Sequence, residues 1–220
     1  FLDIHACASA IAEQVQAARL AGKLEATPRP ASTFERRLPC GRLLLGSLPE
    51  TYELGLVEYQ FARVRAKHLL GFWIRHLVEC WRRPDGEPLT SCLIGRPPEG
   101  SGVIRHELAR VAEPARVLDA LVARYDEGQR LPLRFFPSAS RLFAENHGKK
   151  QKPGVDLASQ VLREWRREVG ADPHLRRVFL LDRQLADPFE SSPGQAPFEQ
   201  LALEVFGPLL EHLSSLEDGA

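Results

Sequence analysis

Apolar residues recur at helical spacing from the start of the chain, where Ile4, Cys7, Ala8, Ile11, Val15 and Ala18 share one face. The pattern predicts a helix over residues 3–20, with Asp3 as its N-cap and Gly22 as its stop. Residues 25–33 are rich in Pro, Ser and Thr and read as a connector. Two β-rich runs follow, 42–48 and 54–61, separated by the turn Pro49-Glu50-Thr51, so an antiparallel hairpin is expected. Residues 64–82 carry the strongest helical pattern. Apolar side chains at 69, 70, 73, 74, 77, 78 and 81 cover most of the circumference, widened by Phe72 and Cys80. The polar stripe is narrow (Arg65, His68, Arg75, Glu79, Arg82), as in a helix packed across a sheet.

Short strands are expected at 89–95 and 103–108, on either side of the turn-rich 96–100. A helix over 114–127 buries Val117, Leu118, Leu121, Val122 and Tyr125 and is capped by Gly128. Pro132 and Pro137 limit 131–136 to an edge strand. From Gly148 onward the pattern is helical: 155–169, 174–181, and a last helix at 198–213. That helix carries Phe198, Leu201, Ala202, Val205, Leu209 and Leu213 on one face, and Pro208 is expected to kink or interrupt it. Residues 187–197 are a Pro/Gly/Ser-rich connector. The order predicts an α+β (α/β-like) fold, with a mixed sheet flanked by helices and a helical C-terminal portion. Residues 1–147 are expected to form the core and 148–220 a helical extension packed on it, as one structural domain overall. The apolar helices after residue 155 point to a surface covered by a partner or by a missing N-terminal part.

Composition narrows the class. With 220 residues, 44% hydrophobic and 26% charged, the chain can bury one good-sized globular core. No run approaches the roughly 20 apolar residues that cross a bilayer, and no signal peptide is visible, so a cytoplasmic protein with no membrane partner is expected. The chain begins at Phe1 and has no Met, so it is expected to be a segment of a longer protein cut at a domain boundary. Cys7, Cys40, Cys80 and Cys92 form no C-x-x-C pair and have no His at zinc-finger spacing. Reduced, mostly buried thiols and no metal follow. Net charge is zero, which argues against a freestanding, strongly basic nucleic-acid binder but leaves a DNA role inside a complex open. Only five cations are Lys, and 24 of the 29 are Arg. Neither a Gly-x-Gly-x-x-Gly nor a Gly-x4-Gly-Lys-Ser/Thr loop is present, so no nucleotide or other cofactor is expected. His68 and His76 share a helix eight residues apart with no third ligand nearby, and no nucleophile elbow occurs.

The informative segment is 41–79. It reads strand, turn, a strand ending Leu56-Val57-Glu58-Tyr59-Gln60, then a helix through Ala66-Lys67-His68-Leu69-Leu70-Gly71-Phe72-Trp73. This order resembles the core of PD-(D/E)XK nucleases of the kind found in RecB and lambda exonuclease. Those proteins present one acid from a strand and an acid-x-Lys pair from the next. Strand residues i and i+2 point to one face, so carboxylate and lysine converge. The carboxylates hold Mg²⁺, and the ammonium stabilises developing charge or orients the attacking water. Here the pair is Glu58-x-Gln60, and a neutral amide does not replace an ammonium. The earlier acid is missing too: Gly46-Ser47-Leu48-Pro49 ends in proline, and no Asp occurs between Asp3 and Asp85. Pro49, Glu58 and Gln60 are therefore expected to be the remnant of a nuclease motif, with no catalytic residue and no metal.

Three further runs resemble the C-terminal domain of the RecC family, the gamma subunit of bacterial exodeoxyribonuclease V. They are 70–80, with Gly71-Phe72-Trp73-Ile74-Arg75-His76 at its heart, then 118–137, then 198–213. The likeness covers residues 40–140 and, more loosely, both ends. The resemblance implies RecB and RecD subunits, the rest of a RecC chain and DNA as partners, in a helicase–nuclease that serves double-strand break repair and recombination. It also implies an inactive nuclease-like fold used as scaffold and DNA-channel wall, with Chi recognition mostly elsewhere. Candidate DNA contacts are Lys149, Lys150 and Lys152 in the loop 148–154, and Arg163, Arg166 and Arg167 around Trp165. The plainer alternative is a solvated loop, with Trp165 packed inward beside Leu162 and the arginines facing water. Two other readings stand beside the inactive domain. One is an active metal-dependent nuclease using Glu50 or Glu53 with Glu58 and a displaced Lys67, and the other is an unrelated α+β binding module. Convergence of acids near Glu58 in a cleft separates them.

Overall fold

A parallel strand pair needs a crossover between its members, and here the crossover is the strongest helix of the sequence. The computed structural model describes residues 2–20, 27–150, 154, 156–179, 188–190, 194 and 196–218. Their elements are α1 (Leu2–Leu20), β1 (Ser32–Arg37), β2 (Leu43–Leu48), β3 (Val57–Arg63), α2 (Ala66–Arg82), β4 (Thr90–Arg96) and β5 (Val103–Ala109). They continue with α3 (Pro114–Gly128), α4 (Pro137–Asn146), α5 (Leu157–Ala171), α6 (Pro173–Phe179), α7 (Phe198–His212) and β6 (Leu213–Asp218). The chain divides into two compact units, Phe1–Ala120 with His212–Ala220, and Leu121–Glu211. This is an α+β fold with a mixed sheet.

The first unit is built on the sheet β3-β4-β5-β6. β3 and β4 are parallel, joined by α2, while β5 and β6 add in antiparallel register. On one face α1 packs Ile11, Val15 and Ala18 against Cys92, Ile94, Val103 and Val57. On the other, α2 buries Leu69, Phe72, Trp73 and Leu77 almost completely. At ~1.5–3 kcal/mol for each large side chain, these two faces hold the unit together. Gly95 lets β4 run close under the end of β3, since a Cβ there would lie 2.7 Å from Val64 Cγ2 and 3.0 Å from the Gln60 carbonyl.

The expected hairpin of 42–48 with 54–61 does not form. β2 pairs instead with β1, in a separate two-stranded ribbon running from Ser32↔Leu48 to Arg37↔Leu43. Gly41, at φ +86°, closes its tight turn by donating to the Leu38 carbonyl. Part of the supposed connector 25–33 is thus the start of β1. Asp3 lies inside the first turn of α1 rather than capping it, and Gly22 falls outside the described residues. The hydrophobic pattern predicts neither α4 nor β6, and both are present. Residues 131–136 form no strand.

The second unit packs Phe136, Ala139 and Phe143 against Val161, Trp165 and Val169 of α5 and Phe198 and Ala202 of α7. Val161, Trp165 and Val169 of α5 and Phe198 and Ala202 of α7 are thus covered within this unit. Asp156 caps α5 by accepting from the Ala158 and Ser159 amides. Glu168 accepts from the Ser138 and Ala139 amides at the start of α4. Burial pushes the Glu168 carboxyl up, against the pull of those two amides. α7 continues through Pro208 to His212, held on both sides of it by buried Phe206 and Leu209. No disulfide joins the cysteines: Cys80 and Cys92 are buried, Cys7 is half-buried, and Cys40 is exposed, contrary to the expectation for most thiols. Burial raises the Cys80 thiol and lifts Cys92 to about 11.

Candidate functional site

Glu58 and Gln60 converge on one face of β3, as strand geometry requires, and that face meets α2. The Arg75 guanidinium donates to both Glu58 oxygens, Nε to Oε1 at 2.5 Å and Nη2 to Oε2 at 2.6 Å. Two parallel charge-assisted bonds are the strongest form of this pair. Gln60 Nε2 donates to His68 Nδ1 at 3.0 Å and to the Arg63 carbonyl at 3.2 Å. His68 Nδ1 also accepts from the Arg65 amide at 3.1 Å, which keeps that nitrogen unprotonated. Desolvation, and then the Lys67 charge, lower the His68 pKa. Each of the two motif positions is therefore spoken for by the crossover helix.

The other motif positions do not join them. Pro49 is exposed just past β2, which belongs to the ribbon and not to the sheet of β3. Glu50 accepts from the Tyr52 hydroxyl at 2.8 Å, Glu53 is exposed, and Lys67 is exposed in the first turn of α2. Among the described residues, no group of three or more His, Cys, Asp or Glu is placed to hold a metal.

Further along α2 the polar side chains serve packing. Glu79 and Arg83 form a buried pair at 2.7 Å, and Arg83 also donates to the Tyr52 and Glu53 carbonyls. Its guanidinium pins the loop that leads into β3. His76 Nδ1 lies 2.9 Å from Ser91 Oγ, and Nε2 lies 2.9 Å from the Ala109 carbonyl. The Ala109 carbonyl can only accept, so Nε2 carries the ring proton and the Ser91 hydroxyl, which also accepts from the Leu56 amide, donates to Nδ1. Burial, opposed by the Ala109 bond and aided by the charges of His212 and Arg110, lowers the His76 pKa to about 4. Both His76 and Ser91 are fully buried, so this Ser–His contact is a core hydrogen bond and not a nucleophile pair.

The candidate DNA contacts lie in the second unit. Lys149 and Lys150 are exposed after α4, whereas Lys152 lies outside the described residues. Arg163, Arg166 and Arg167 are exposed on α5, with Arg167 2.5 Å from Glu164. Trp165 is buried and offers no stacking surface, and Arg176 and Arg177 are exposed on α6. The partners that sequence reasoning missed are Arg75 and His68. Their spacing of seven on α2 puts both on one helical stripe, the only advance sign that they face a common strand.

A mixed sheet held between two helices, with Glu58 and Gln60 of its first strand tied to the crossover helix, defines an α+β domain. The family model described as the RecC C-terminal domain matches residues 4–148, and the chain belongs to that family. The RecBCD enzyme subunit RecC of Mycolicibacterium smegmatis (strain ATCC 700084 / mc(2)155) is 35% identical over 105 residues, 48% of this chain. The matched stretch is 10% of that relative's length.

Proposed function

We propose that the chain is a non-catalytic C-terminal domain of a RecC-type subunit, a degenerate PD-(D/E)XK fold that serves as scaffold and DNA-channel wall. RecB-type and RecD-type subunits and the rest of the RecC chain are its partners, the work is double-strand break repair and recombination in the cytoplasm, and the domain needs no cofactor. Among the described residues no helix is long and apolar enough to cross a membrane. The observation that carries the reading is the Glu58–Arg75 pair. A divalent ion at Glu58 has to displace a bidentate guanidinium, with no group of three or more His, Cys, Asp or Glu placed to hold it among the described residues and Gln60 where the chemistry calls for an ammonium. Lys149, Lys150, Lys152, Arg163, Arg166 and Arg167 are the side chains proposed to meet phosphate.

The test is degradation of linear and single-stranded DNA by the purified chain with Mg²⁺ or Mn²⁺, beside Glu58→Ala and an EDTA control. Wild type is expected to match the two controls. Metal-dependent cleavage that disappears in Glu58→Ala overturns the non-catalytic reading.

A further inference from the structure

The face of β3 opposite α2 carries different chemistry. Tyr59 and Phe61 alternate with Glu58 and Gln60 and stand 57% and 44% exposed. Each has a guanidinium at its ring. Arg19 of α1 lies between two rings, 5.2 Å from the buried Tyr52 centroid and 5.7 Å from that of Tyr59, and Arg96 of β4 lies 5.6 Å from that of Phe61. Tyr59 pairs with Ile94, which packs toward α1, and Arg96 is two residues further on the same face. Arg63 follows at the strand's end, donating to the Pro97 and Pro98 carbonyls. The strand's own acid, Glu58, points the other way and is neutralised by Arg75. The part of this face that α1 leaves exposed is thus aromatic and locally cationic.

Arg19 Nε is buried, but the terminal N–H groups of a guanidinium resting on a ring are its means of meeting phosphate, and the ring keeps a flat surface for a base. The register with β4 slips between Tyr59 and Arg63, so the two rings stand on an irregular stretch, where two residues of extended chain still reach about 7 Å, close to one nucleotide step of an extended single strand. Two such units in series fit a polymer that alternates a π-face with a negative charge. They suit a protein surface less well, because an aliphatic anchor is absent from the pair. A duplex hides its base faces and cannot use them. We propose that Tyr59 and Phe61 form a two-base stacking platform for single-stranded DNA, with Arg19 and Arg96 meeting the adjoining phosphates. The proposal rests on the DNA-channel reading and adds to it a site in the first unit, remote in sequence from the lysines and arginines named above.

The experiment is fluorescence anisotropy of the full 220-residue chain with a labelled oligothymidylate, an abasic strand of equal length and a duplex. Tyr59→Ala and Phe61→Ala are each expected to weaken oligothymidylate binding about tenfold, the equivalent of ~1.4 kcal/mol of stacking. Tyr59→Phe restores it, and abasic binding does not change in either alanine variant. Both rings are exposed, so thermal melts of the variants should match wild type, separating lost stacking from lost folding. Oligothymidylate affinity unchanged in both alanine variants overturns the platform while leaving the channel reading intact. So does a loss shared equally by the abasic strand. Unchanged DNA binding with reduced co-purification of RecB-type and RecD-type subunits makes the face a protein contact and also overturns it. Binding of no strand at all overturns both readings.

Discussion

Two carboxylates meet α2, and each is paired with an arginine, yet their surroundings give them different work. Glu58 reaches the helix from β3 and is met by Arg75, with the side chains 20% and 40% exposed. Glu79 belongs to the helix and is met by Arg83 four residues on, with side chains 1% and 3% exposed. Water reaches the first pair, so removing one partner leaves the other partly solvated and costs less than in the core. The second pair has no such refuge. Removing one partner strands a charge in the core, and Arg83 additionally holds two loop carbonyls. The lesson is that the Glu58–Arg75 pair is the dispensable one for folding. Its effect is on what Glu58 is free to bind.

The comparison breaks most readily at the buried pair. Glu79→Ala is expected to cost about 3–5 kcal/mol in urea unfolding, and replacing both partners with apolar residues of similar volume should cost less than either single change. A Glu79→Ala variant no less stable than Glu58→Ala removes the distinction. Next in size is His76. Its ring is neutral when folded, with a pKa of about 4 against 6.5 unfolded, so the unfolded chain binds more protons between those values. Stability from this group is complete above pH 6.5 and is lost as pH falls toward 4, by about 3 kcal/mol in all. Melting curves across that window should show a flatter acid limb in His76→Gln, and a parallel limb contradicts the assignment. The smallest effect belongs to Glu58→Ala, expected within about 1 kcal/mol of wild type and weaker still in high salt.

The same contrast marks what the sequence could reveal. α2 is legible because its apolar residues cover most of the helix. Strand pairing is not legible. The runs 42–48 and 54–61 are adjacent and separated by a turn, but pairing is decided by tertiary partners: β2 finds β1, and β3 finds β4 beyond the helix. β6, Leu-Ser-Ser-Leu-Glu-Asp, has almost no hydrophobic signal and is a strand because β5 offers an edge. α4 announces itself only by Pro137 at its first turn. Periodicity puts Glu79 on a polar stripe, yet it is buried, since periodicity does not reveal that a helix is covered by loops as well as by a sheet.

β6 has a consequence for the order in which the molecule is made. It pairs with β5 from Val103↔Asp218 to Leu108↔Leu213, and the whole second unit, Leu121–Glu211, lies between the two strands in the sequence. On the ribosome, the outer edge of β5 must wait unpaired while some hundred residues are synthesised, at ~5–20 residues per second for about ten seconds. The intervening segment has its own core and can collapse during that interval, shortening the effective loop that β6 must close. An unpaired inner strand held open for seconds is a template for the wrong neighbour. The polar, charged character of residues 213–218 suits a strand that arrives last: it adds little of its own to stick, and closes an edge already waiting for it.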